Sequence, residues 1–412
     1  MCLRILYVAP RYWPSVGGAQ LYARELIQRI GARHDVEVVT QFTSDRDSFI
    51  QSAVTAAPDE YRDGAIRVHR IGPRGAWRPL LRTLSKGYAR FRPVRPGFAC
   101  LLDLAIAPQL EAIVRRLQPE VIHAVHIGLV YSSETPCRVA RRAGVPFVWT
   151  PLPHTEGGTG WSGSRFQRLY RISDAVIAMT HHEKAWLERQ GAPAGHVHVI
   201  PAGPIVQAEG DARGFRRQHS LGQAPIVLFL GQKLPYKGYM QMVQAAPLIW
   251  SQLPEARLVF IGPRTAESER FFALHQDPRI VELPAVDALE KSSALAACDV
   301  FCMPSVQESL GVVYLEAWSF RKPVIAADIH ITREVIAEGQ DGLLVEQEPQ
   351  AIAGATVRLL QDERLRQRLG ETGHQKVGRE YDWGHLVDRM EALYISLCRQ
   401  QCREARANRH EL

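Results

Sequence analysis

Residues 299–334 read DVFCMPSVQESLGVVYLEAWSFRKPVIAADIHITRE. The stretch opens on a short apolar run, Val300-Phe301-Cys302-Met303, as expected of a parallel strand covered on both faces. Pro304-Ser305 ends the run, a polar turn follows with Glu308 at its tip, and Gly311 opens a helix expected over 312–320. A second apolar strand is expected over 323–327, so the order is strand, loop, helix, strand. Glu308 falls in the loop, and Glu316 lies about a turn into the helix. The first amides of a helix have no internal partners and carry partial positive charge. Leu310, Gly311 and Val312 can therefore aim backbone N–H groups at a phosphate, with Gly311 permitting close approach. Two carboxylates do not bind phosphate, but they accept hydrogen bonds from sugar hydroxyls. Taken alone, the same residues are also readable as an acidic loop and an amphipathic helix.

The alternation extends in both directions. A strand over 3–9 leads into the loop 10–18, which ends on Gly17-Gly18, then a helix over 19–33 and a strand over 36–40. That is how nucleotide-binding α/β units begin, although the full G-x-G-x-x-G is missing. A β-hairpin is expected around 66–71. Further on come a helix over 101–117, strands over 121–125, 147–150, 174–179 and 197–201, and helices over 130–143 and 183–190. A second domain starts with the apolar run 226–230, which feeds the loop Gly231-Gln232-Lys233-Leu234-Pro235-Tyr236-Lys237-Gly238. Strands over 257–261, 280–283 and 341–345 follow, with a last helix from 381 to about 397 and a polar tail. The expected domains are 1–205, 206–380 and a crossing segment 381–412.

Pro304-Ser305, Glu308-Ser309-Leu310-Gly311, Leu315-Glu316-Ala317 and Lys322-Pro323-Val324-Ile325, taken together, resemble the signature of retaining glycosyltransferases of family 4. The spacing of Glu308 and Glu316 fits the family's Glu-x7-Glu pair, and the elements before and after match in order across nearly the whole chain. The resemblance implies the GT-B fold: α/β, two doubly wound Rossmann-like domains facing a central cleft, with a C-terminal helix crossing back to the first. It implies transfer of a sugar from a UDP- or GDP-linked donor to a glycan or lipid-linked acceptor, with retention at the anomeric carbon and without a metal or other cofactor. The expected setting is cell-surface glycan or glycolipid synthesis.

The resemblance also assigns roles. Lys237 neutralises the donor diphosphate, with Lys233 beside Gln232, where the family carries Arg. Glu316 holds ribose hydroxyls, Glu308 holds donor-sugar hydroxyls, and His154 faces the sugar and acceptor. Gly17 and Gly18 lie near the phosphates, joined by the amides of Leu310, Gly311 and Val312, and Leu283 borders the base. His123 and His126 shape the site rather than act in it. Gln232, Arg321, His330 and Ile331 depart from the family pattern. A degenerate, non-catalytic nucleotide-sugar binder or membrane-docked partner is the alternative reading.

Composition narrows the remaining choices. The 412 residues are 46% hydrophobic, ample for large cores. No uninterrupted apolar run reaches membrane-span length, and the run 3–9 is too short for a leader, so a strand is expected there. Seven cysteines without framework spacing point to reduced thiols and a cytoplasmic setting. Residues 1–205 hold 26 Lys and Arg against 16 Asp and Glu, whereas 206–412 hold 24 against 27. The two halves are thus expected to meet different partners, with no nucleic acid among them. Asp45-Arg46-Asp47 has the D-x-D form of a metal site in a different transferase fold and reads here as solvated charge. In 78–95, Leu80, Leu81, Leu84, Tyr88 and Phe91 recur near helical spacing between Arg78, Arg82, Lys86, Arg90 and Arg92. Such a segment either lies on an anionic membrane or packs its leucines on the first domain.

Overall fold

The computed structural model describes residues 2–15, 17–41, 49–88, 94–126, 131–155, 161–207 and 209–410. Asp45, Arg46, Asp47, Arg90, Phe91 and Arg92 lie outside the described residues. The chain forms two compact units. The first takes residues 1–153, 159–200 and 387–412; the second takes 154–158 and 201–386. The division falls just ahead of the expected position 205.

The first unit is built on eight strands: β1 (Arg4–Val8), β2 (Asp35–Thr40), β3 (Asp59–Asp63), β4 (Ile66–Arg70), β5 (Val121–Val125), β6 (Phe147–Thr150), β7 (Ala175–Ala178) and β8 (Val197–Val199). Their order is β3-β4-β2-β1-β5-β6-β7-β8. Every pairing is parallel except β3 with β4, which form the expected hairpin around a Gly64 in left-handed conformation. The interior strands β5, β6 and β7 are buried along their whole length, as continuous apolar runs require.

The helix Val94–Leu117 starts earlier than expected. Its segment Arg95–Leu117 is long and apolar enough, by length and composition, to cross a membrane, although no uninterrupted apolar run in it reaches that length. Asp103, Pro108 and Glu111 interrupt the apolar run without spoiling its average. Phe98, Leu102, Ile106, Leu110 and Val114, four residues apart, are all buried in the first unit's core. The segment is therefore a core helix of this unit.

The second unit has six strands, all parallel: β9 (Ile226–Leu230), β10 (Arg257–Ile261), β11 (Ile280–Leu283), β12 (Val300–Met303), β13 (Val324–Ala327) and β14 (Gly342–Val345). Their order is β11-β10-β9-β12-β13-β14. The winding direction reverses between β9 and β12, whose neighbouring carboxyl ends mark the switch point where open α/β sheets bind ligands. The loops leaving those two strands are 231–238 and 304–311, the two segments with the strongest sequence signals.

The last helix, Trp383–His410, is longer than expected. Its residues through Leu386 belong to the second unit and those from Val387 to the first. Within the first unit, the Tyr394 hydroxyl meets the Tyr7 hydroxyl at 2.7 Å and His123 Nδ1 at 2.6 Å, while His123 Nε2 meets Thr150 Oγ1 at 2.7 Å. Burial lowers the His123 pKa to about 3, so His123 is a neutral core residue.

Candidate functional site

The two switch-point loops are knit together within the second unit. Gly238 stands at φ +83°, and a Cβ there would come within 2.7 Å of Pro304, so only glycine fits between the loops. The amide of Val306 donates to Tyr236 O at 2.9 Å, and Gln347 Nε2 donates to both Tyr236 O and Pro304 O. This frame sets Lys237 Nζ 2.5 Å from Glu308 Oε1 and 5.3 Å from the Tyr236 ring centroid. Glu308 is largely buried, with 8% of its surface exposed.

Three residues beyond Glu308, Gly311 caps the helix Val312–Ser319 in left-handed conformation. Leu310 is buried beneath it, and Tyr314 donates its hydroxyl to Met303 O at 2.7 Å, pinning the helix to the end of β12. The first-turn amides, from Val312 onward, have no carbonyl one turn back within the helix. Glu316 lies inside the unit. Burial pushes its carboxyl up from the ordinary glutamate range, against the opposing pull of Lys291, whose Nζ is 2.8 Å from Oε1. Lys291 Nζ also donates to Ile205 O at 2.5 Å.

His154 joins the Lys237–Glu308 group. Its ring meets Tyr236 edge-on at 6.0 Å, and it bonds the Gln307 side chain. Burial lowers its pKa, with Glu308 opposing and Lys237 reinforcing, which leaves a neutral imidazole at pH 7. Glu156, Gly157 and Gly158, from the same loop, lie outside the described residues.

One expectation is corrected. Lys233 is fully buried, and its Nζ donates to Gly262 O and Leu283 O, both at 2.6 Å, and to Glu282 Oε1 at 2.6 Å. An ammonium has three donors and all three are engaged internally, so Lys233 is a structural peg rather than a phosphate ligand. Burial lowers its pKa while Glu282 opposes. The Leu283 carbonyl accepts from Lys233 Nζ at 2.6 Å and from the Gly262 amide at 3.3 Å. Gln232 is exposed. Arg321 holds φ +54°, a left-handed position that suits glycine, and pairs with Glu371. His330 is exposed at the start of the helix His330–Val335.

Gly17 and Gly18 belong to the first unit, where they begin the helix Gly18–Gly31 that follows β1. Sequence reasoning missed Lys291, Gln307 and Gln347. Nothing in local pattern marks them, because each acts on a partner brought close only by the sheet order. Among the described residues no group of three or more His, Cys, Asp or Glu is placed to hold a metal ion.

Comparison with known proteins gives a consistent result. A family model described as "Glycosyl transferases group 1" matches residues 212–376, and one described as "Glycosyl transferase 4-like domain" matches residues 17–203. A D-inositol 3-phosphate glycosyltransferase of Xylanimonas cellulosilytica is 30% identical over 295 residues, covering 67% of this chain and 68% of its own. A phosphatidyl-myo-inositol mannosyltransferase of Mycobacterium tuberculosis is 30% identical over 226 residues, a match spanning 53% of this chain and 58% of that protein's length. Anabaena HepE in complex with UDP and glucose superposes with a TM-score of 0.71 at 16% identity, covering 96% of this chain and 100% of its own. Sucrose-phosphate synthase from Thermosynechococcus elongatus does so with a TM-score of 0.73 at 23% identity, covering 96% and 99%. At these identities the structural matches establish the fold alone.

Proposed function

Because the chain belongs to the group 1 glycosyl transferases, family 4 with the GT-B fold, we propose that it transfers a sugar from a nucleoside-diphosphate sugar to an acceptor, with retention at the anomeric carbon. The observation that carries this reading is the meeting of Lys237, Glu308 and His154 at the second sheet's switch point, just ahead of the helix Val312–Ser319.

The roles follow from charge. Breaking the bond between the anomeric carbon and the phosphate oxygen leaves negative charge on the departing diphosphate. Lys237 Nζ donates one hydrogen bond to Glu308 and keeps two N–H groups for phosphate oxygens. The amides of Gly311 and Val312 add donors at a site of partial positive charge, where one such donor is typically worth about a hundredfold or more in rate. Glu308 accepts from donor-sugar hydroxyls and faces the cationic character of the anomeric carbon. Glu316 accepts from the ribose, and neutral His154 bonds a hydroxyl of the sugar or acceptor. Lys237 and the helix amides balance the phosphate charge without a metal.

The acceptor is proposed to be anionic, a lipid-linked or phosphorylated polyol. The basic excess of residues 1–205 supports this, as do the names of the two relatives, which both carry a phosphorylated inositol. In the helix Trp77–Tyr88, Trp77, Leu81, Leu84 and Tyr88 pack on the first unit's core. Contact with an anionic membrane on the cytoplasmic side then rests on exposed Arg78, Arg82, Lys86 and Leu80.

One observation favours a second reading. With Lys233 turned inward and Gln232 neutral, Lys237 is the cation that the loop 231–238 can offer a diphosphate, as in a non-catalytic binder. Thermal shift with UDP, GDP, UDP-glucose and GDP-mannose, followed by assay of donor hydrolysis, separates the two. A ligand at a hundred times its Kd adds about 2.7 kcal/mol of stability. Stabilisation with slow hydrolysis supports transfer, and stabilisation without hydrolysis supports a binder. No stabilisation by any of the four overturns both.

A further inference from the structure

We propose that Lys291 is a positioning residue for Glu316, holding its carboxylate ionised and aimed so that it receives a nucleotide's ribose. The inference rests on the reading of Glu316 given under the proposed function. Lys291 lies on the helix Ala288–Ala297, and its Nζ is 2.8 Å from Glu316 Oε1 and 2.5 Å from Ile205 O. The Ile205 amide in turn donates to the Glu316 carboxylate. One backbone residue therefore brackets the pair from both sides. A carboxylate has about four acceptor positions; Lys291 and Ile205 fill two and leave two for a pair of vicinal hydroxyls.

The following residues of the same helix grip the same segment. Ser292 Oγ accepts from the Gln207 amide at 3.0 Å, and Ser293 Oγ accepts from the Asp211 amide at 2.9 Å. Lys291, Ser292 and Ser293 together hold Ile205, Gln207 and Asp211 against the helix, and with them the Ile205 amide that touches Glu316.

The charges around Glu316 leave Lys291 as its counter-ion. On the helix Ala288–Ala297, Glu290 turns to His219 and Gln218, and Asp287 caps the helix. In the segment 205–211, Asp211 caps Gly214 and Glu209 is exposed. On Glu316's own helix, the Tyr314 hydroxyl is committed to Met303 O. A carboxylate buried this deeply without a cation binds a proton instead and loses its charge-assisted acceptor strength.

The test is calorimetric titration of UDP and GDP into wild type, K291M, K291R, E316Q and K291M/E316Q between pH 5.5 and 8.5, with urea midpoints confirming folding. Losing a hydrogen bond to a charged group corresponds to roughly a 10- to 100-fold weaker Kd for K291M at pH 7. Removing the lysine raises the Glu316 pKa, so binding by K291M should recover as pH rises, along a curve displaced upward from that of wild type. K291R should restore both affinity and profile. In the E316Q background K291M should cost less than about twofold, since the carboxylate it serves is gone. If K291M fails to fold, K291Q takes its place in every arm. A K291M that matches wild type in Kd and pH profile, or that costs as much without Glu316 as with it, overturns the proposal while leaving the nucleotide site standing. A wild type that binds neither UDP nor GDP overturns that site and this inference together.

Discussion

Replacing Gly311 with Ala tests the loop-to-helix corner on which the nucleotide site depends. Gly311 stands at φ +80° and ψ 52°, a left-handed conformation that costs a residue with a Cβ about 1–2 kcal/mol. The added Cβ would sit 2.4 Å from Tyr314 Cε2 and 2.5 Å from Cδ2. That ring is fully buried, hydrogen-bonded to Met303 O, and edge-on to Phe301 at 6.0 Å, so it has little room to retreat. Overpacking of this kind costs about 1–3 kcal/mol. Together the two effects predict a loss of about 3 kcal/mol in urea unfolding, with an unchanged slope. Nucleoside-diphosphate binding and turnover should fall further than stability explains, because the strain is released by moving the helix amides. Gly18→Ala is the matched control. Gly18 also begins a helix, but a Cβ there meets nothing within 4 Å, and the change should stay within about 1 kcal/mol of wild type. A G311A variant less than 1 kcal/mol below wild type, or no worse than G18A, would refute the geometry.

Three further outcomes are expected. Lys233→Met should unfold at markedly lower urea than Lys237→Met. The first leaves two buried carbonyls without their donor and Glu282 with Arg264 alone, a loss of about 2–4 kcal/mol, whereas the second should stay folded and lose most nucleotide binding and turnover; the reverse order in the two melts would contradict the assignment. Transferase activity should survive EDTA, since Lys237 and the helix amides are proposed to balance the phosphate charge. Complete loss on chelation, restored by magnesium or manganese, would reopen Asp45 and Asp47. In co-sedimentation with anionic vesicles at low salt, replacing Arg82 and Lys86 with Glu should reduce binding several-fold. Equal binding by the variant removes this helix as the membrane contact.

Much of the molecule follows from local pattern. Continuous apolar runs such as 226–230 and 300–303 specify strands buried on both faces, because no polar side chain interrupts either surface. The breaks at Gly231 and Pro304 specify where loops begin. Alternation of strands and helices requires parallel sheets, and the spacing of Glu308 and Glu316 places one carboxylate before a helix and the other inside it. The hairpin and the first-unit core helix were also legible, although a count of uninterrupted apolar residues overlooked how apolar Arg95–Leu117 is on average.

Tertiary structure decided what the individual side chains do. Lys233 and Lys237 share one irregular loop, where no periodicity assigns a direction. The first points inward because the ends of β10 and β11 present two carbonyls and Glu282, and the second points to Glu308 because β9 lies beside β12. Lys291 carries no motif. It matters because its helix and the segment through Ile205 both pack against Glu316. Sequence by itself determines which residues lie in strands, helices and loops, because those are local preferences of the backbone. Which cation meets which carboxylate depends on strand order, and strand order is settled only when the whole sheet assembles.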